Sequence, residues 1–416
     1  MRSGKKRVTS RVESIKTFIP RSSERISKRR MIVLEDRIPA TEHRIRTTRR
    51  NERKKTVVPK SSQLAPKLRR ASRKRYESPE EPEIYKHQRL DTSTDEIRLL
   101  KLSRETKGPV HCEVKVFPLE RAPPYVALSY RWGLPSPLHD IHIEGKVLKI
   151  RDILNSCLLE LREELNTWLW VDQICIAQMD TSERNHQVGI MARIYGRSAF
   201  VIIWLGDIPL AYPREDDRFN DRDLDEESAV LLLKNKYFRR MWIIQEILLA
   251  KKIWLRINGH RNIAWSTIED RSAGYAAVFD PEDPYPIFLT FFAFGPKRAL
   301  QKLPLGLLLT MSTYNPSECE DPRDKVYGLM GIVREQDKLV VDYRKSNHEV
   351  YLDAIMIMLR AGSIFYLHCS IFHTLGKEMG IEKSLIRDTR LWLEGTFGTS
   401  PWLEAMDWEE FDRFCI

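Results

Sequence analysis

Alternation between apolar and polar positions predicts two half-buried strands, over Ile97–Leu102 and His111–Leu119. Three further segments, Tyr125–Tyr130, Trp168–Asp172 and Phe200–Trp204, are almost continuously apolar. A short run of this kind predicts a strand that is buried on both faces. The first half of the chain therefore contains the strands of a substantial sheet.

Helical periodicity occurs between these strands. Apolar residues lie on one face of a helix over Arg151–Leu165 and again over Asp180–Ala199. The segment Ile141–Ile150 reads as a hairpin that turns at Glu144–Gly145. Continuously apolar strands that alternate with helices predict a parallel sheet covered on both faces, which is an α/β fold.

The later part of the chain changes character. An acidic loop over Pro213–Ser228 precedes a predicted helix, Tyr237–Ala250, and a predicted strand, Lys252–Gly259. From about residue 275 the pattern is mainly helical, with one helix beginning near Asp321 and another over Asn347–Gly362. We therefore expect an α/β domain over 91–270 and a mainly helical region over 271–416.

The charge is distributed unevenly along the chain. The formal net charge of +11 comes from 69 Lys+Arg and 58 Asp+Glu, but residues 1–80 hold 26 of the basic and 8 of the acidic residues. The first 80 residues thus carry +18, and the remainder, with 43 basic and 50 acidic residues, carries −7. We predict that 1–90 is a disordered basic tail. Its basic clusters suit nuclear import or nucleic-acid contact, and a solvated tail without a specific partner is an equally weighted interpretation.

Cysteine usage and hydropathy narrow the class of protein. The six cysteines include no C-x-x-C pair, which argues against a zinc module and a disulfide scaffold and favours a reducing compartment, the cytoplasm or the nucleus. No metal-binding motif is visible. The longest apolar candidate, Tyr285–Gly295, is too short to span a bilayer, so we expect no membrane partner.

Polar residues follow the predicted buried strands. Arg131 and Trp132 end the first, Asp172 ends the second, and the next helix carries Glu183 and Gln187 one turn apart. Ligands of open α/β sheets bind outside the carboxyl ends of the strands, so we expect these five residues to face one cleft. The combination suits an anionic, planar ligand such as a nucleotide, although no glycine-rich phosphate loop occurs.

Each of these residues also has a structural interpretation. Glu183 follows Asp180 at the spacing of a capping box, and Asp172 is placed to accept backbone N–H groups. Trp132 suits a core position, and Arg131 suits an ion pair with an acid of the domain. Both interpretations stay open at this point.

Four separated segments together resemble the heterokaryon incompatibility (HET) domain of filamentous fungi. They are YVALSYRWG, LWVDQICIAQMDTSERNHQVGIMARIYGRSAFVIIWLG, YFRRMWIIQEILLA and DPRDKVYGLMGI. Besides Trp132, Asp172, Glu183 and Gln187, the matching motif positions are Ser129, Tyr130, Gly133, Trp170, Cys175, Gln178, Trp242, Gln245 and Glu246. Arg131 and Ala177 depart from the residues that the family often has there, and the basic tail is not part of the family pattern.

The resemblance implies a fungal protein of non-self recognition that triggers cell death or growth arrest. It also implies a distant relation to TIR domains, which have a flavodoxin-like fold, some of which cleave NAD while others signal by self-association. Two main hypotheses follow: a signalling module that self-associates or binds a protein partner, and an enzyme that hydrolyses NAD with Glu183 as the catalytic carboxylate. The sequence leaves open whether the chain is an enzyme and whether NAD or another nucleotide is a ligand.

Overall fold

The structure is a computed structural model that describes residues 82–105, 107–208, 224–259, 261–272, 302–313, 317–360 and 368–397. It divides the chain into two units, 1–76 and 77–416, and every described residue belongs to the second. The predictions made for the basic tail up to residue 81, for most of the acidic loop and for the apolar segment 285–295 lie outside the described residues.

The described strands form one nine-stranded sheet. Their bounds are β1 Glu96–Leu102, β2 His111–Pro118, β3 Tyr125–Tyr130, β4 Leu138–Ile143, β5 Lys146–Arg151, β6 Trp168–Trp170, β7 Phe200–Gly206, β8 Ile253–Ile257 and β9 Arg261–Ala264. The spatial order is β5-β4-β2-β1-β6-β3-β7-β8-β9. Each strand predicted from periodicity is therefore present.

The middle of the sheet is parallel, as predicted. Strand β3 pairs in parallel with β6 on one side and β7 on the other, and β7 pairs in parallel with β8. Antiparallel pairs, β1 with β2, β1 with β6, β4 with β5 and β8 with β9, make the whole sheet mixed. Taken in chain order, the four parallel strands lie in the spatial order second, first, third, fourth. This is the flavodoxin-like order, whose topological switch point lies between β3 and β7.

Helices cover the sheet and then form a second layer. Their bounds are α1 Asp152–Leu161, α2 Asp172–Cys175, α3 Thr181–Arg197, α4 Glu226–Leu233, α5 Ile243–Leu248, α6 Trp265–Ser272, α7 Leu305–Thr313, α8 Asp324–Tyr327, α9 Asn347–Arg360, α10 His368–Glu378 and α11 Lys383–Phe397. The α/β architecture followed by a mainly helical region is as predicted.

One predicted helix is interrupted. The segment 237–250 was expected to be continuous, but a 3-10 turn, Lys236–Arg239, is separated from α5 by Arg240 in an extended conformation. Arg240 forms a β-bridge with Glu318, and the Met241 amide donates a hydrogen bond of 2.9 Å to the Glu318 carbonyl. A long-range backbone contact therefore replaces one helical turn. The helix expected from Asp321 is likewise reduced to the single turn of α8.

Two hydrophobic cores lie side by side. The first contains the apolar faces of the sheet strands, with Trp170 fully buried, and the second contains the helices after residue 300 together with Met241 and Ile244 of the α5 region. The Trp242 side chain packs against both cores. The seam between the α/β part and the helical region therefore passes through Trp242.

The first described residues are packed onto the sheet. The Val147 amide donates to the Glu83 carbonyl and the Tyr85 amide donates to the Val147 carbonyl, each at 2.8 Å. Leu90 is buried. Part of the segment predicted as tail thus contacts strand β5.

None of the described helices is long and apolar enough to cross a bilayer.

Candidate functional site

A cavity of about 530 Å³ opens at the carboxyl ends of β3 and β6, the end of the strands at which open α/β sheets bind ligands. Its walls come from the α/β part and from the helical region. The lining residues are Arg131, Trp132, Gly133, Asp172, Ile176, Gln178, Met179, Arg184, Val188, Met191, Arg240, Trp242, Glu318, Cys319, Glu320, Asp321, Asp324 and Tyr343. Three of the five residues predicted to share a cleft, Arg131, Trp132 and Asp172, are among them.

Asp172 anchors the α/β wall of the cavity. Its carboxylate accepts hydrogen bonds from Tyr130 Oη at 2.9 Å, Trp132 Nε1 at 2.6 Å and the Gln173 amide at 2.8 Å. Burial raises the pKa of Asp172, and the nearby positive charge of Arg240 acts in the opposite direction. Because its lone pairs are already used by the protein, Asp172 positions the two aromatic side chains and has little capacity left for a ligand.

A buried polar cluster lies behind this wall. Ser129 Oγ is 2.5 Å from Tyr237 Oη and donates a hydrogen bond to Glu246, while Arg240 Nη1 lies 3.3 Å from the Glu246 carboxylate. Burial raises the pKa of Glu246, and Arg240 counters that shift. The negative charge of Glu246 raises the pKa of Arg240 in spite of its burial. Ser129 is only 1% exposed, so its hydroxyl joins the strand to the helices and is not presented to a substrate.

Arg240 and Tyr237 were not predicted as site residues. The sequence interpretation placed both within a continuous helix, where nothing marks one arginine as different from its neighbour. The break in that helix turns Arg240 into the cavity wall, where it is the cation nearest to two carboxylates, Asp172 and Glu246. A contact with Glu318, which is distant in the sequence, causes the break, so a local pattern could not have revealed it.

Asp324 connects the two walls. Trp242 Nε1 donates to its carboxyl group at 2.9 Å and Tyr343 Oη donates at 2.6 Å. Burial raises the pKa of Asp324 to about 7. A titratable carboxyl group therefore lies where the α/β part meets the helical region.

The rim on the helical side is acidic. Arg151 Nη1 pairs with Glu320 at 2.5 Å, donates to the Gly133 carbonyl at 3.1 Å and lies 4.8 Å from the centre of the Trp132 ring. Cys319 also lines the cavity, and burial raises the pKa of its thiol to about 12. A thiol with that pKa stays protonated at neutral pH, so Cys319 is not an activated nucleophile.

Glu183 and Gln187, the other two predicted cleft residues, do not line the cavity. Glu183 forms a bidentate ion pair with Arg98, with Oε1 2.5 Å from Nη1 and Oε2 2.8 Å from Nη2. It also accepts the Ala177 amide at 2.7 Å, and Arg98 is completely buried. Asp180 caps the helix instead, since its carboxylate accepts the amides of residues 182 and 183. The expected convergence of five residues is therefore met by three.

Gln187 Nε2 donates a hydrogen bond of 2.8 Å to the Glu96 carbonyl, and the Gln187 side chain is fully buried. Glu183 and Gln187 do share a helix face, as the spacing predicts, but that face packs against β1. Gln187 thus ties α3 to β1, away from the ends of β3 and β6.

The remaining family-motif residues are bonded inside the protein. Gln178 Nε2 donates to the Asp172 carbonyl at 2.9 Å, and Gln245 Nε2 donates to the Gly328 carbonyl at 2.8 Å. Gly133 turns the chain at a φ of +74°, and a Cβ there would lie 2.6 Å from the Ile153 side chain. Cys175 is buried, and burial raises the pKa of its thiol to about 12.

The chemistry available in the cavity is limited. Among the described residues, no group of three or more His, Cys, Asp or Glu side chains is arranged to hold a metal ion. The cavity's central carboxyl groups, Asp172 and Asp324, each accept at least two hydrogen bonds from the protein. These two carboxyl groups therefore help to hold the walls of the cavity together.

Part of this chain is similar to a known protein family. Residues 125–246 match the model of the heterokaryon incompatibility protein (HET) family. Heterokaryon incompatibility protein 6, OR allele, of Neurospora crassa is 25% identical over 346 residues, which cover 62% of this chain and 50% of that protein. Vegetative incompatibility protein HET-E-1 of Podospora anserina is 26% identical over 151 residues, which cover 35% of this chain and 10% of that protein.

This chain thus aligns with half of the first relative's length and a tenth of the second's. No solved structure gave a significant match. The matched segment begins with β3 and ends at Glu246, so it contains the strand ends and the buried polar cluster described above.

Proposed function

Since this chain is a HET-domain protein, we propose that it acts in fungal vegetative incompatibility as a non-catalytic signalling module, through self-association or a protein partner. The names of the two relatives support the biological role. The observation that carries the mechanistic part is that the family-motif side chains bond to one another. Ser129, Asp172 and Glu246 hold strands and helices together instead of facing a substrate.

The alternative, hydrolysis of NAD by Glu183, has weak geometric support. A carboxylate that stabilises positive charge on a ribose must reach the substrate. Both carboxylate oxygens of Glu183 are engaged by Arg98, and the residue is 5% exposed. No observation on the described residues favours this enzyme over the signalling module.

Inducible expression of the full chain in a filamentous fungus tests the role. We expect growth arrest or non-viable heterokaryons in at least one combination with strains of different genotype. Normal growth and normal heterokaryons in every combination would contradict the proposed role. The mechanistic part is tested in the same cultures by measuring NAD, which a non-catalytic module leaves unchanged.

A matched variant separates the two mechanisms. Replacing both members of the buried pair, Arg98→Met with Glu183→Met, removes the carboxylate without leaving a buried charge unpaired. We expect this double variant to keep the growth arrest, provided that it accumulates to the wild-type level. Loss of arrest in a well-folded double variant, together with NAD consumption by the purified wild-type chain, would support the enzyme and overturn the signalling module.

A further inference from the structure

Most charged groups around the cavity already have partners. Arg240 pairs with Glu246, Arg151 pairs with Glu320, and Arg323 holds Asp321 through bonds of 2.8 Å from Nε and 2.7 Å from Nη2. The charged lining residues outside these pairs are two arginines, Arg131 and Arg184, and three acids, Asp172, Glu318 and Asp324. Recognition of an anion must come from the two arginines.

Arg131 is one such side chain. It lines the cavity directly after β3, and among the described residues its side chain takes part in no hydrogen bond, ion pair or ring contact. An arginine offers five N–H donors in a fork that matches a carboxylate or a phosphate. Because the Arg131 side chain is partly buried, some of its N–H groups lie against the cavity wall and do not extend into solvent.

Arg184, on α3, is the second. Its guanidinium lies 3.8 Å from the centre of the Tyr343 ring, and its nearest acidic atom, Asp321 Oδ2, is 3.9 Å away. Arg184 Nε is buried and has no hydrogen-bond partner in the described part of the chain. The Arg184 side chain as a whole is 28% exposed, so its other guanidinium nitrogens are available to an acceptor in the cavity.

One part of the wall is apolar and aromatic. Ile176, Met179, Val188 and Met191 line the cavity together with the Trp242 ring. The cavity volume of about 530 Å³ falls within the range of small-molecule sites, roughly 300–1,000 Å³. Met179 is 97% exposed, which places it at the mouth of the cavity.

We propose that this cavity binds a small molecule with an oxyanion head group, a carboxylate or a phosphate, held by Arg131 and Arg184, and with a ring or other apolar body that packs on Met179, Val188 and Trp242. The binding is independent of the signalling role proposed above. The affinity of this ligand depends on Arg131, whose side chain makes no hydrogen bond, ion pair or ring contact with the described residues.

Calorimetric titration of the purified full chain tests this proposal. The probes are 1-naphthoate, 1-naphthyl phosphate and the uncharged 1-naphthamide, so that the head group varies while the ring is constant. We expect one or both acids to bind and the amide to bind at least tenfold more weakly. The relative affinity of the two acids identifies the preferred head group.

The variant Arg131→Gln and its control Arg104→Gln complete the test. Both remove one positive charge. Arg104 is exposed, does not line the cavity and, like Arg131, makes no side-chain contact with the described residues. We expect Arg131→Gln to weaken binding of the acid about 10-fold to 100-fold without changing the thermal unfolding midpoint, because a hydrogen-bonded charge contributes at that level. We expect Arg104→Gln to bind as the wild type does.

Three results would overturn the proposal: equal acid affinity in the two variants, an amide that binds as tightly as the acids, or no saturable binding of either acid at millimolar concentration.

Discussion

The buried pair Arg98–Glu183 allows a quantitative test of whether Glu183 is a structural or a catalytic residue. Arg98 is 0% exposed and Glu183 is 5% exposed, and two hydrogen bonds of 2.5 and 2.8 Å join them. In Glu183→Gln the charge of Arg98 stays buried without its counter-charge. Breaking a buried pair in this way costs about 3–5 kcal/mol of unfolding free energy.

Removing both charges together is expected to lower the unfolding free energy by less than Glu183→Gln does. In Arg98→Met with Glu183→Met, the groups that lose a partner are the Cys175 and Gln88 carbonyls and the Ala177 amide. Gln88 is exposed and Ala177 is half-buried, so water can replace their lost hydrogen bonds, whereas Cys175 is buried. One buried carbonyl without a partner costs about 1–3 kcal/mol, and this is the loss that we expect for the double variant.

Urea unfolding of the wild type, the two single Met variants, the double variant and Glu183→Gln measures these quantities. A structural pair predicts a coupling free energy of about 2 kcal/mol or more in the double-mutant cycle, with the double variant more stable than either single variant. If the single costs add up in the double variant, or if Glu183→Gln is as stable as the wild type, then the two residues do not form a mutually dependent pair.

Three further predictions concern the seam and the cavity. The pKa of Asp324 is about 7 in the folded protein and about 3.8 in the unfolded chain, so the unfolding free energy should fall by up to about 4 kcal/mol as the pH rises from 4 to 7. Asp324→Asn should remove this pH dependence in urea titrations, and a variant with the same pH profile as the wild type would contradict the prediction. Gly331→Ala should lower the unfolding free energy by about 1–3 kcal/mol because its Cβ would overlap Gln245, whereas Gly189→Ala, in open space on a helix, should raise it by up to about 1 kcal/mol; equal effects would refute the overlap. Cys319, with a thiol pKa of about 12, should be alkylated at pH 8 about a thousandfold more slowly than a free cysteine, as measured by mass spectrometry of the individual peptides. A rate near that of free cysteine would show that the thiol is more accessible to solvent than the structure indicates.

Local sequence patterns were sufficient to predict most of the α/β fold. Continuous apolar runs identify β3 and β7 because burial on both faces leaves no polar alternation. The three-strand core and its parallel direction could therefore be predicted without any knowledge of distant contacts. The pattern could not predict the interruption at Arg240, since its cause is a backbone bridge to Glu318, which lies far along the chain.

The candidate site was predicted in part for the same reason. Strand ends are local features, so the sequence could indicate that Arg131, Trp132 and Asp172, which line the cavity, lie near one another. Helical spacing correctly put Glu183 on one face with its neighbour, but spacing does not say which element that face meets. The partner, Arg98, stands in an alternating strand at a position that a two-residue period assigns to solvent, and only the three-dimensional packing reveals that it is buried.

The contact between residues 83–85 and β5 has a practical consequence for handling the protein. Strand β5 lies at one edge of the sheet, and unpaired edge strands recruit other chains and promote aggregation. Here the amide and carbonyl of Val147 are both occupied by the segment that precedes β1. A fragment beginning at residue 91 would uncover that edge, remove the buried Leu90 and deprive Arg98 of the Gln88 carbonyl. A fragment beginning at residue 77 keeps all three, and it should stay monodisperse under conditions in which the shorter fragment precipitates.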